Sequence, residues 1–140
     1  MYGYVKVGSA VPKLRVADCV YNKEEILKLV EAAAAKQVRV LSFPELSVTG
    51  YTCADLFFQT PLLHAAEQAI QEIAEATKAL NIFLLIGAPI AVDNQMFNCA
   101  VALYRGKLLG IVPKTHIPNY SEFYEERWFA SADDLLTEEI

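Results

Sequence analysis

Apolar residues along the chain switch between a spacing of two and a spacing of three to four, and each switch marks an element. Residues 5–11 predict a first strand, stopped by Pro12. Asn22 then predicts a helix start, with Glu24 and Glu25 in the first turn and Glu25 spaced as in a capping box. Ile26, Val30 and Ala33, with Leu29 alongside, give this helix an apolar face through Ala35, and Lys23, Lys28 and Glu31 give it a wet one. Branched and aromatic residues return in a second strand, 39–43, which Pro44 ends. Thr60 and Pro61 predict the cap and first turn of a longer helix, in which Leu63, Ala66, Ile70, Ile73, Ala74 and Leu80 recur at helical spacing up to Asn81. The continuous apolar run 82–86 reads as a strand covered on both faces, loosened at 87–89. Residues 97–104 and 108–113 read as a hairpin joined through Arg105-Gly106. Strand, helix, strand, helix, strand and hairpin predict an α/β layered domain with helices packed on a sheet. The acidic stretch 131–140 shows no pattern.

Composition narrows the partners. The chain has 140 residues, 54% hydrophobic and 21% charged, enough for one domain with a sizeable core. Its net charge of −5 and lack of a basic stripe argue against nucleic acid or a membrane surface as partner. Apolar runs fall far short of the roughly 18 residues that span a bilayer. Lys6, Lys13 and Arg15 break up the N-terminal apolar positions, so no signal peptide is expected and a cytoplasmic location is the default. Cys19, Cys53 and Cys99 are an odd number without framework spacing, which predicts reduced thiols. The two histidines, His64 and His116, have no metal-ligand spacing, and the glycines form no phosphate-cradling loop.

Two stretches concentrate the chemistry. Residues 41–51, Leu-Ser-Phe-Pro-Glu-Leu-Ser-Val-Thr-Gly-Tyr, take an apolar strand straight into a turn that presents Glu45. A carboxylate there, between Phe43 and Leu46, is expected to be partly desolvated and suited to act as a general base; a solvated loop glutamate is the commoner alternative. Pro113-Lys114 repeats the device of a strand ended by proline and followed by one charge. If the two strands are neighbours in one sheet, both charges emerge at the same edge and hold each other ionised. Such a pair suits acyl transfer, with the carboxylate taking a proton from a nucleophile and the ammonium facing the oxyanion. Taken alone, Lys114 reads as a surface lysine.

Residues 43–51, Phe-Pro-Glu-Leu-Ser-Val-Thr-Gly-Tyr, together with 114–120, Lys-Thr-His-Ile-Pro-Asn-Tyr, resemble the nitrilase (carbon–nitrogen hydrolase) superfamily. Within it, Cys53-Ala54-Asp55-Leu56-Phe57 and the run Phe-Tyr-Glu-Glu-Arg-Trp-Phe at 123–129 resemble the glutaminase domains of glutamine-dependent NAD synthetases. The resemblance implies a nitrilase-like α-β-β-α sandwich and a Glu-Lys-Cys triad. Glu45 matches the general base and Lys114 the oxyanion-stabilising lysine. Tyr51 and Tyr120 match positions lining the glutamine pocket, and Glu125 matches a further acidic residue near the triad. In such enzymes a cysteine thiolate attacks the side-chain amide of glutamine, ammonia leaves for a separate synthetase domain, and water releases glutamate. ATP and Mg belong to that synthetase domain, and no cofactor or metal is expected in this chain.

The nucleophile is where the sequence departs from this pattern, since no cysteine follows Lys114. Residues 1–140 are therefore expected to be the N-terminal part of a glutaminase domain, inactive alone, with the synthetase domain absent. A partial sandwich would also expose an apolar sheet face, which predicts a homo-oligomer or poor solubility. Two other readings stay open: another nitrilase-type amidase or carbamoylase, and a non-catalytic interaction domain of the same fold.

Overall fold

Two strand–helix units run first and build the parallel half of a sheet. In the computed structural model, which describes residues 3–137, β1 (Val7–Ser9) leads through α1 (Cys19–Ala35) to β2 (Val40–Ser42). β2 leads through α2 (Thr60–Ala76) to β3 (Phe83–Val92), and β1, β2 and β3 pair in parallel, as crossover helices allow. β4 (Gln95–Tyr104) and β5 (Lys107–Pro113) extend the sheet antiparallel, giving the order β1-β2-β3-β4-β5. β5 thus runs in the same direction as β2, and both end at one edge of the sheet.

The register places Leu84 opposite Leu103 and Ile86 opposite Val101. These four side chains are 0–1% exposed and share the core with Ile26 and Val30 of α1 and Ile70 and Ile73 of α2. The helices therefore cover this face. The alternate residues form the other face, where Val7 and Val112 stand 66% and 64% exposed. This is one helix layer on one sheet, the α-β part of the expected sandwich.

Several boundaries differ from the sequence reading. β1 holds only three residues of the expected 5–11 and β2 only three of 39–43. The helix α1 starts at Cys19, before the expected Asn22, because the Asp18 side chain accepts from the Tyr21 N–H and caps it. Asn22 is fully buried instead; its Nδ2 donates to the carbonyls of Arg15 and Val48, and its Oδ1 accepts from the Arg15 N–H. Gln59 occupies the N-cap of α2, so Thr60 and Pro61 are its first helical residues, and the helix ends at Ala76, well before Asn81.

The largest difference lies in β3, which continues through Gly87 and Pro89 to Val92. Asp93 and Asn94, with φ of 48° and 64°, make a two-residue hairpin turn, as Arg105 and Gly106 do at 48° and 78°. A three-stranded meander thus replaces the expected strand plus hairpin. Pro89 fits because β2 pairs with β3 only as far as Leu85, so a missing N–H costs no ladder bond there. The stretch 131–137 also has structure: Ser131 caps a short 3-10 turn, Ala132–Asp134, while 138–140 lie outside the described residues. No helix among the described residues is long and apolar enough to cross a membrane.

Candidate active site

After β2 the chain turns at 45–49, with Leu46 at a φ of 52° and Leu46 and Val48 wholly buried. The Phe43 N–H donates to Leu85 O at 2.9 Å and the Val48 N–H to Gly87 O at 3.1 Å, so the turn lies directly on β3. Gly87 permits this approach, since a Cβ there would stand 2.4 Å from Pro44 O and 2.4 Å from Leu46 N. The turn carries Glu45 across β3 towards β4 and β5. The sequence reading made the meeting of the two charges conditional on β2 and β5 being neighbours; two strands separate them, and the crossing over Gly87 closes the gap.

Lys114 leaves the end of β5 with its N–H donating to Asn98 O at 2.8 Å and its carbonyl accepting from the Ala132 N–H at 3.0 Å. Ser131 Oγ donates to Thr115 O at 2.7 Å, so the C-terminal stretch braces the same strand end. The Lys114 Nζ lies 3.0 and 3.1 Å from the two Glu45 carboxylate oxygens and 3.3 Å from Glu125 Oε2. Glu125 is 3% exposed, and its Oε1 accepts from the Tyr51 hydroxyl. Burial works against the ammonium of Lys114, yet the bonds and charges of Glu45 and then Glu125 outweigh it, and its pKa is raised overall. Burial and then the Glu125 carboxylate push the Tyr51 phenol up as well, which keeps it a donor at neutral pH.

Glu45 and Lys114 rim a groove of about 280 Å³ on the open face of the sheet, floored by Phe43, Leu85, Ala100 and Val112; Tyr51 and Glu125 line a neighbouring one. At the mouth of an apolar groove, a carboxylate beside a fixed ammonium can accept a proton while the ammonium stabilises a developing oxyanion. The Glu45 side chain is 51% exposed, so the expected desolvation is not present; only its neighbour Leu46 points inward.

The carbon-nitrogen hydrolase family profile matches residues 6–138. The chain belongs to the carbon-nitrogen hydrolase family. Among relatives, it is 36% identical over 132 residues to the glutamine-dependent NAD(+) synthetase of Mycobacterium leprae, covering 94% of this chain and 19% of that protein. It is 34% identical over 125 residues to the Aquifex aeolicus enzyme of the same name, covering 89% of this chain and 22% of that protein. The chain thus spans about a fifth of these relatives' length. A solved glutamine-dependent NAD(+) synthetase from Cytophaga hutchinsonii superposes with a TM-score of 0.86 at 30% identity, over 91% of this chain and 22% of that one. An amidase from Nesterenkonia superposes at 0.71 and 22% identity, over 89% of this chain and 47% of that one, a likeness of fold.

In this carbon-nitrogen hydrolase chain the structure brings Glu45, Lys114, Glu125 and Tyr51 together. Tyr120 stands apart, 69% exposed with its ring edge-on to Phe123. All three cysteines are buried thiols. Burial, with Cys53 and Asp18 nearby, pushes Cys19 up to about 11, and burial pushes Cys99 up to about 12. The Cys53 thiol donates to the carbonyls of Thr49 and Gly50, and burial raises its pKa too. Cys99 follows Asn98 but faces the helix side of the sheet, paired with Ala88. Among the described residues no group of three His, Cys, Asp or Glu side chains could hold a metal.

Three further residues shape the site and were not singled out from sequence. Gly87 bears the Glu45 turn, and a lone glycine inside an apolar strand was its signal. Asn98 touches Glu45; an amide inside an otherwise apolar strand was the signal. Asp55 accepts from Arg127 Nε and Nη2 at 2.7 and 2.8 Å and from Trp128 Nε1 at 3.0 Å, tying 54–58 to the turn that carries Glu125. Those bonds, Arg127 first, hold the Asp55 carboxyl well below the usual carboxylate range.

Proposed function

We propose that the chain is the part of a glutaminase domain that supplies the base and the lysine. In this reading the whole domain hydrolyses the side-chain amide of glutamine and passes ammonia to an ATP- and Mg-dependent NAD synthetase domain. The observation that carries it is Lys114 held between Glu45 and Glu125 at the mouth of the groove. The glutamine-dependent NAD synthetases among its relatives give the substrate class.

A cysteine thiol from outside these 140 residues attacks the amide carbon. Glu45 takes the thiol proton, and Lys114 faces the oxyanion of the tetrahedral intermediate. Glu45 returns the proton to the departing ammonia and then activates the water that splits the thioester to glutamate. Tyr51 and Glu125 line the glutamine pocket beside Lys114, and Tyr120 belongs to its exposed outer edge. The 140-residue chain alone is inactive in this scheme, since its thiols are buried with raised proton affinity and none stands at Glu45.

The test measures ammonia release from glutamine by the 140-residue chain and by a longer, nucleophile-bearing protein that contains it. The longer protein should turn over and the short one should not. Glu45→Gln should abolish ammonia release, about a thousandfold or more, while NAD synthesis from free ammonia continues. Retained glutaminase turnover in that variant would refute the base assignment.

A further inference from the structure

We propose that Asn98 positions the Glu45 carboxylate against Lys114 and selects which of its oxygens takes the proton; the kinetic consequence rests on the glutaminase reading above. Asn98 lies in β4, 3% exposed, between Phe97 and Cys99, whose side chains face the helix layer. A buried amide in such a strand is costly unless bonded. Asn98 Nδ2 donates to Glu45 Oε2 at 3.2 Å, and its carbonyl accepts from the Lys114 N–H at 2.8 Å. One residue thus reaches both halves of the pair, one through its side chain and the other through its backbone.

Glu45 needs such a partner. Its side chain is 51% exposed on a turn, and an ion pair with a flexible lysine stem fixes little geometry at that exposure. The lysine also straddles the carboxylate, at 3.0 Å from one oxygen and 3.1 Å from the other, so it does not distinguish them. Asn98 does, because its amide is held by the sheet and bonds only Oε2. Oε2 then has two donors and Oε1 one, which leaves Oε1 as the proton-accepting oxygen.

Asn98→Leu removes the donor while keeping the same branching of heavy atoms, and two readouts in the nucleophile-bearing protein decide the matter. A crystal structure of the variant should show the Glu45 carboxylate moved out of salt-bridge range of Lys114 with the β4–β5 register intact. A carboxylate still in place overturns the inference whatever the protein's activity. In kinetics, kcat for ammonia release should fall about tenfold with KM changed less than twofold. Ammonia-driven NAD synthesis should be unchanged; an equal loss there means general damage and overturns the positioning role, as does an unchanged kcat. A parent protein that releases no ammonia from glutamine refutes the glutaminase reading, and the crystallographic readout still decides Asn98.

Discussion

The two faces of the sheet are built from the same strands by the same alternation, yet they do opposite work. On the helix side Leu84, Ile86, Val101 and Leu103 are almost wholly buried and contribute packing. On the open side Phe43, Leu85, Ala100 and Val112 floor a groove with Glu45, Asn98 and Lys114 at its mouth. The residue between two core positions is therefore not a weaker core residue. Asn98 sits between Phe97 and Cys99 for this reason, and stability should depend on one face and chemistry on the other.

The sharpest way to break that division is Gly87, which lies on the open face but bears the backbone of the Glu45 turn. Gly87→Ala puts a methyl on two main-chain atoms at 2.4 Å, neither of which can rotate away. We expect a loss of about 4 kcal/mol, above the usual overpacking range, in denaturant unfolding, and displacement of Glu45. A variant of parent stability would show that the turn does not rest on β3. The next test compares the faces directly. Leu84→Ala should cost about 3 kcal/mol by chemical unfolding, and Val112→Ala, at a 64% exposed position, less than about 0.5 kcal/mol. Equal losses would mean that Val112 is covered in solution.

At protein concentrations above those of the unfolding experiment, self-association through the open face is expected to supply such cover. Val112→Lys should shift the 140-residue chain towards monomer in sedimentation velocity at equal concentration, whereas a substitution on the outer surface of α2, Glu67→Lys, should not. An unchanged distribution for Val112→Lys would sink that expectation. The smallest effect concerns the Asp55–Arg127 latch. The folded carboxyl titrates below its ordinary 3.8, so the latch stabilises above that value and is lost as pH falls through the depressed one. Fluorescence of Trp128, the one tryptophan, should stay constant from about pH 7 to 5 and change only under stronger acid, more gradually in Asp55→Asn. An identical acid transition in that variant would remove the latch from the account.

Much of the fold was legible because apolar periodicity reports directly which residues leave water. Ile26, Val30, Ala66, Ile70 and Ile73 were read as helix faces and are buried or packed on the core. Element ends were less legible. Asn22 has the chemistry of a cap, but Asp18 takes that place and Asn22 spends its amide on two loops, a choice made by tertiary packing. Pro89 read as a strand end because the sequence does not say that β2 stops beside Leu85.

For the site, sequence alone determined the charges and their position at strand ends, since Pro44 and Pro113, which lack an N–H to donate, stand where β2 and β5 finish. Glu45 and Lys114 were visible in that way, and the flanking residues carried the family. Their meeting was decided only in three dimensions. Sixty-nine residues separate them in the chain and two strands in the sheet. The contact exists because a left-handed Leu46, a missing side chain at Gly87 and a buried Asn98 bring backbone, space and a donor to one point. None of these is a property of a residue by itself; each is a relation between strands that only the packed sheet creates.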